Sequence, residues 1–176
     1  MFSAYAQQYQ PITRHNIRSL PQYHALSLEL RRSIRIISMI YPFRTNRYVV
    51  DHLIDWDNVP NDPMYQLTFP QREMVSPDDY KHIGRLLAED APRQELNQAV
   101  NAIRMQHNPH PAGQMTYNVP MLDGKPMPGV QHKYRETVLF FPAKGQTCHA
   151  YCSYCFRWAQ FIGKQDLKFK GQNANT

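Results

Sequence analysis

Cys148, Cys152 and Cys155 are the only cysteines in a chain of 176 residues, and they fall within eight consecutive positions as C-x-x-x-C-x-x-C in the stretch QTCHAYCSYCFRWAQF. This grouping constrains the fold more than any helical period, because thiols that act together must be carried by one local turn of backbone. Disulfide pairing accounts poorly for it. The count is odd, the spacing is too tight for a useful framework, and nothing else in the chain points to secretion. Core cysteines without chemistry have no reason to gather in one polar loop, which leaves metal binding. Zinc wants a fourth protein ligand, and His149 is the nearest candidate, although its place between two cysteines is awkward for a tetrahedral site. An iron–sulfur cube held by three thiolates leaves one iron open to a substrate or cofactor, so the second option carries catalysis with it.

The chain as a whole has the composition of a folding protein: 42% hydrophobic and 12% aromatic residues. Its 14 prolines against 7 glycines predict long irregular connections. No apolar run approaches the ~18–20 residues needed to cross a bilayer, and the N-terminus lacks a signal-peptide core, so a cytoplasmic protein without membrane attachment is expected. A net charge of +6 raises nucleic acid as a partner. Arg31, Arg32 and Arg35 share one predicted helix, but the other basic residues are interspersed with acids and no nucleic-acid motif accompanies them, so nucleic acid is not the expected partner.

Periodicity predicts a helical N-terminal region over residues 1–107. Leu26, Leu30, Ile34, Ile37 and Ile40 place one apolar stripe along a helix within residues 21–40. A second helix is expected from Thr45 or Asn46, turning Val49, Leu53 and Trp56 inward and ending before Pro60. Ser76-Pro77-Asp78-Asp79 has the cap, first-turn proline and acids of a helix start, giving a helix over 77–89. Another runs from about residue 92 to His107, with Leu96, Val100 and Ile103 on one face. Residues 108–136 hold prolines at 109, 111, 120, 126 and 128 and read as an extended connection. Residues 137–176 then begin with TVLFF, residues 137–141, a strand expected to be covered on both faces, followed by the cysteine loop.

A strand followed by C-x-x-x-C-x-x-C, with the aromatic Tyr154 just before the last cysteine, resembles the signature of radical S-adenosylmethionine enzymes. The stretches YPFRTNRYVVDHLIDW, NDPMYQLTFPQ, HNPHPAGQ and HKYRETVLFF resemble the lysine 2,3-aminomutase branch, and the resemblance covers about residues 40–165. It implies an α/β fold: a helical N-terminal region, then the first strand and cluster loop of a (β/α) partial barrel. It implies a [4Fe-4S] cluster whose open iron chelates S-adenosylmethionine, reductive cleavage to a 5'-deoxyadenosyl radical, and pyridoxal 5'-phosphate holding the substrate amine during migration between neighbouring carbons. The substrate implied is a small amino acid, lysine or a relative, and the electron donor a flavodoxin or ferredoxin. The family's organic cofactors carry the chemistry and the protein positions them.

Matched position by position, Cys148, Cys152 and Cys155 would be the cluster ligands and Tyr154 would lie by the adenine of S-adenosylmethionine. Arg157 matches an arginine that meets the substrate carboxylate, where a planar fork suits two-point binding. Lys133 matches a basic position near pyridoxal phosphate where the family usually has arginine; lysine there offers a point charge with less geometric control. His132 and His149 are expected to be hydrogen-bonding neighbours rather than ligands. A barrel domain takes roughly 200 residues or more, and 21 residues follow Cys155. The expectation is therefore an N-terminal fragment that does not turn over substrate by itself and whose exposed strand could draw it into a homo-oligomer. The alternative is a non-catalytic interaction module in which the three cysteines, with His149, bind zinc.

Overall fold

The computed structural model describes residues 9–107, 117–141, 148, 150 and 151. In chain order the elements are β1 (Pro11–Thr13), α1 (Pro21–Ala25), α2 (Leu28–Ile40), β2 (Arg44–Asn46), α3 (Arg47–His52), α4 (Pro63–Thr68), α5 (Pro77–Ala88), α6 (Arg93–His107), β3 (Met121–Leu122), β4 (Lys125–Pro126), β5 (Val130–Tyr134) and β6 (Thr137–Phe140). Among the described residues the strands pair as two-stranded antiparallel ladders: β1 with β2, β3 with β4, and β5 with β6. No helix among them is long and apolar enough to cross a membrane. The chain divides into two compact units, one of Met1–Met39, Phe43–Gly84 and His149–Cys152, the other of Ile40–Pro42, Arg85–Cys148 and Ser153–Thr176.

The core of the first unit gathers Ile12 from β1, Leu20 and Tyr23 around α1, Ile34 from α2, Val49 and Val50 from α3, and Tyr65 and Phe69 at α4. Each large apolar side chain removed from water in this way contributes about 1.5–3 kcal/mol. The single helix expected within residues 21–40 is in fact two. Leu26 is extended, with φ −65° and ψ 150°, and the Ser27 hydroxyl accepts from the Leu30 amide at 3.2 Å, starting α2 afresh. A serine there competes for the backbone and favours a cap over a helix interior. Leu26, Ile34, Ile37 and Ile40 are nonetheless buried and Leu30 is partly buried, as the stripe requires.

Two further expectations need correction. The second helix starts on schedule, with the Asn46 side chain accepting from the Val49 amide, but it ends at His52. Leu53 stays exposed, and Trp56 opens a separate 3₁₀ turn capped by Asp55. The indole of Trp56 donates to the Val50 carbonyl at 2.8 Å, so the ring still joins the core from outside the helix. The helix starting at Ser76 forms as expected, Ser76 Oγ accepting from the Asp79 amide at 3.1 Å. In the first unit Ser33 Oγ of α2 and Tyr80 Oη of α5 meet at 3.0 Å in a buried bond. A Cβ built on Gly84 would lie 3.0 Å from Ile36 Cδ1, the end of a side chain, so α2 and α5 pack closely at this point.

In the second unit Val100 and Ile103 of α6 are buried, as their spacing predicts. Arg104 Nε donates to the Ile40 carbonyl at 2.6 Å, and Tyr41 Oη meets His107 Nδ1 at 2.7 Å. The second correction falls here. The described part of the expected connection, residues 117–136, contains β3, β4 and β5 rather than unpaired chain. Asp123 and Gly124 both have positive φ, 50° and 74°, the conformation that a two-residue hairpin turn with right-handed strand twist demands. The Asp-Gly dipeptide was the available signal for that hairpin.

Candidate functional site

Tyr151, a described residue of the cysteine stretch, is hydrogen-bonded to one end of α4, and the sequence accounts for that helix. Asp62 Oδ1 accepts from the Tyr65 amide at 2.7 Å, and Pro63 occupies the first turn, where its missing N–H costs nothing. Asp62 is buried, at 5% exposure, so this cap works away from bulk water. At the other end Thr68 Oγ1 donates back to the Met64 carbonyl at 2.6 Å, and the Phe69 amide donates to Tyr65. The Leu67 carbonyl, among the last-turn acceptors a helix leaves open, receives the backbone N–H of Tyr151 at 2.8 Å. Tyr151 immediately precedes Cys152, so α4 fixes the backbone one residue from the middle cysteine.

Aromatic packing steadies α4. Tyr65 and Phe69 stack with centroids 4.8 Å apart, Trp56 meets Phe69 edge-on at 5.7 Å, and Phe43 lies 5.1 Å from Phe69. Such pairs contribute about 0.5–1.5 kcal/mol beyond the area they bury. The Tyr65 hydroxyl is fully buried without a hydrogen-bond partner among the described residues, and burial pushes its phenol well above the ordinary tyrosine value of 10.0. A group so held is a neutral packing element, unable to act as a base near neutral pH.

Lys133 lies on the β5–β6 hairpin. Val130 pairs with Phe140 and Gln131 with Leu139, the register then shifts, and Tyr134 pairs with Thr137, which places Lys133 within the irregular stretch. Its ammonium lies 5.4 Å from the centroid of the Tyr134 ring, and both residues are exposed. His132 donates its amide to Asn118 at 2.7 Å, and its ring Nε2 approaches the Arg135 carbonyl at 3.3 Å, a hydrogen-bonding role. β6 departs from the expected strand covered on both faces: Thr137, Val138, Leu139 and Phe140 are all exposed, while Phe141 is buried and donates its amide to Gly129 at 2.7 Å.

Cys148 is exposed. Cys152, Tyr154, Cys155, Arg157 and His149 lie outside the described residues, and among the described residues no three His, Cys, Asp or Glu side chains gather as a metal site. The fit to a cluster therefore rests on the donor set and its exposed first member. Three thiolates are soft ligands suited to iron–sulfur or zinc, and Cys148 is exposed. For pyridoxal phosphate, exposed Lys133 offers one point charge able to meet a phosphate. Sequence reasoning did not reach the Tyr151–Leu67 bond, since no local pattern signals a hydrogen bond between backbone groups 84 positions apart.

A protein of Aquifex aeolicus (strain VF5) described as "Putative L-lysine 2,3-aminomutase" is 28% identical to this chain over 138 residues. The match covers 78% of this chain and 26% of that protein, so the chain spans about a quarter of the length of the curated relative it matches. No family model and no solved structure matches the chain. What the comparisons establish is a similarity, over most of this chain, to part of a protein named as an aminomutase.

Proposed function

We propose that this chain carries the cluster-binding part of a radical S-adenosylmethionine aminomutase that moves an amino group between the 2 and 3 carbons of lysine or a related amino acid. The observation that carries the reading is the spacing Cys148-x-x-x-Cys152-x-x-Cys155 following β6, supported by the similarity to the aminomutase-named relative. In this reading the three thiolates hold a [4Fe-4S] cluster and leave one iron for S-adenosylmethionine, with Tyr154 beside the adenine. Arg157 takes the substrate carboxylate in a two-point grip and Lys133 faces the phosphate of pyridoxal 5'-phosphate. When bound, the cluster and S-adenosylmethionine supply one-electron chemistry that starts hydrogen abstraction, and pyridoxal phosphate supplies the carrier for the migrating nitrogen. β6 begins a (β/α) barrel, and a flavodoxin or ferredoxin delivers the electron.

The chain's own contribution is positional. Anchoring Tyr151 on the α4 terminus limits the conformations open to the cysteine loop, which lowers the entropy lost when three thiolates converge on one centre. Anaerobic reconstitution with iron and sulfide tests the proposal. A brown protein with acid-labile sulfide, losing most of its visible absorption in Cys152→Ala, is expected. About one zinc per chain with no labile sulfide would overturn it in favour of a non-catalytic zinc module using His149. Substrate is tested on a full-length relative supplied with S-adenosylmethionine, pyridoxal phosphate and free lysine: β-lysine is expected, and activity confined to glutamate or to protein-bound lysine rejects the assignment.

A further inference from the structure

We infer that Thr68 is a positioning residue for the cysteine stretch, its hydroxyl fixing the peptide group of α4 that receives Tyr151. The inference rests on the cluster reading above and adds to it the side chain that sets where the stretch is held. The Leu67 carbonyl and the Thr68 N–H belong to one planar peptide unit, so whatever orients one end orients the other. At the Leu67 end the carbonyl accepts from the Tyr151 amide at 2.8 Å. At the Thr68 end the side-chain Oγ1 donates to the Met64 carbonyl at 2.6 Å. Thr68 is 3% exposed, so bulk water does not compete for that bond.

This peptide needs holding because α4 is short. Six residues fall well below the ~12–15 at which an isolated helix sustains itself in water, and end turns are the first to open. The helix stops directly after Thr68, since Phe69 is already extended with φ −108° and ψ 149°. Leu67 cannot fix the peptide by packing, because its own side chain is exposed. Thr68, on the buried side, is the neighbour placed to do so. A threonine hydroxyl bonded to the carbonyl four residues back also bends a helix locally, and here the bend falls in the turn whose Leu67 carbonyl takes Tyr151.

Tyr151 lies three residues after Cys148 and one before Cys152 in sequence. Holding its amide removes freedom from the backbone between two thiols, which lowers the ordering cost when they share one centre. Without the Thr68 hydroxyl the Leu67–Thr68 peptide is less restrained, and the Tyr151 bond opens more often.

Two substitutions separate positioning from bulk. Thr68→Val keeps the branched shape without the hydroxyl, and the Met64 carbonyl keeps the backbone donor that helix geometry gives it. Thr68→Ser keeps the hydroxyl and loses a methyl. Amide hydrogen exchange of the whole chain, without metal, reads the anchor directly. Exchange at Tyr151 should be about fivefold faster or more in Thr68→Val, the size of one net hydrogen bond, and close to the parent in Thr68→Ser. Exchange at Ile83 of α5, in the same unit, should not change in either variant. After anaerobic reconstitution, labile sulfide should fall in Thr68→Val and return toward the parent level in Thr68→Ser. Unchanged Tyr151 exchange in Thr68→Val, or equal acceleration at Tyr151 and Ile83, would overturn the role. Faster exchange with undiminished sulfide would overturn it as well, since the anchor would then not serve the cysteines. A parent chain that takes up no labile sulfide would sink the cluster reading instead, and the exchange result would still decide whether Thr68 holds the Tyr151 anchor.

Discussion

The backbone N–H of Tyr151 donates to the carbonyl of Leu67 at 2.8 Å, joining the residue before Cys152 to the last turn of α4. Tyr151→Pro removes that donor and restricts Ala150 to extended conformations. Tyr151→Ala keeps the N–H. Iron and labile sulfide after reconstitution should therefore fall well below the parent level in the proline variant and stay close to it in the alanine variant. Equal retention would mean that the α4 anchor does not help organise the cysteines.

Tyr65 and Phe69 stack beneath the same helix, and the Tyr65 hydroxyl has no partner there among the described residues. Removing an unsatisfied buried hydroxyl while keeping the ring should leave Tyr65→Phe as stable as the parent or up to about 1 kcal/mol more stable. Tyr65→Ala should cost about 3–5 kcal/mol through the cavity it leaves. Chemical denaturation measures both.

The raised phenol pKa of Tyr65 also sets a sign. A group whose folded pKa lies above its unfolded value stabilises fully below the unfolded value, and that contribution is lost as pH rises toward the folded one. With an ordinary value of 10.0 raised by burial, the parent should lose stability above about pH 10 more steeply than Tyr65→Phe. Parallel curves of denaturation midpoint against pH would refute this.

Gly84 leaves 3.0 Å between its would-be Cβ and Ile36 Cδ1. Alanine there gains about 1 kcal/mol of helix propensity over glycine, against a shift of a few tenths of an ångström at the end of one side chain. Gly84→Ala should thus stay within about 1 kcal/mol of the parent, whereas Gly84→Leu, which forces α2 and α5 apart, should lose about 1–3 kcal/mol or more. Thermal midpoints of the two variants test the difference.

Asp62 caps α4 from a buried position, through a 2.7 Å bond to the Tyr65 amide. Asp62→Ala should destabilise by about 0.5–2 kcal/mol, and Asp62→Asn, which keeps an acceptor oxygen, by much less. The same denaturation series checks this pair.

Elements governed by neighbours in sequence could be read before any coordinates. The Ser76 cap and Pro77 start of α5 depend on groups within one turn, and the buried faces of α2 and α6 follow from a 3.6-residue period. The Asn46 start of α3 belongs with them. Where a local choice was close, the period misled: Ser27 split one expected helix in two, and α3 stopped before Leu53 could turn inward. The Asp123-Gly124 hairpin was also written locally, but five prolines in the surrounding stretch masked it.

By itself, the sequence determined an inventory of side chains: three cysteines in eight positions, a histidine between two of them, and a lysine at 133. Identity and spacing are covalent facts that need no folding to state. Tertiary structure alone decided that the Leu67 carbonyl receives Tyr151 and that the Tyr65 hydroxyl is buried without a hydrogen-bond partner among the described residues. It also decided that β6 pairs antiparallel with β5 and leaves four residues exposed. Each of these joins groups brought together by packing or by strand pairing. The stability of such contacts depends on which surfaces meet, and a one-dimensional pattern of apolar and polar residues does not specify that.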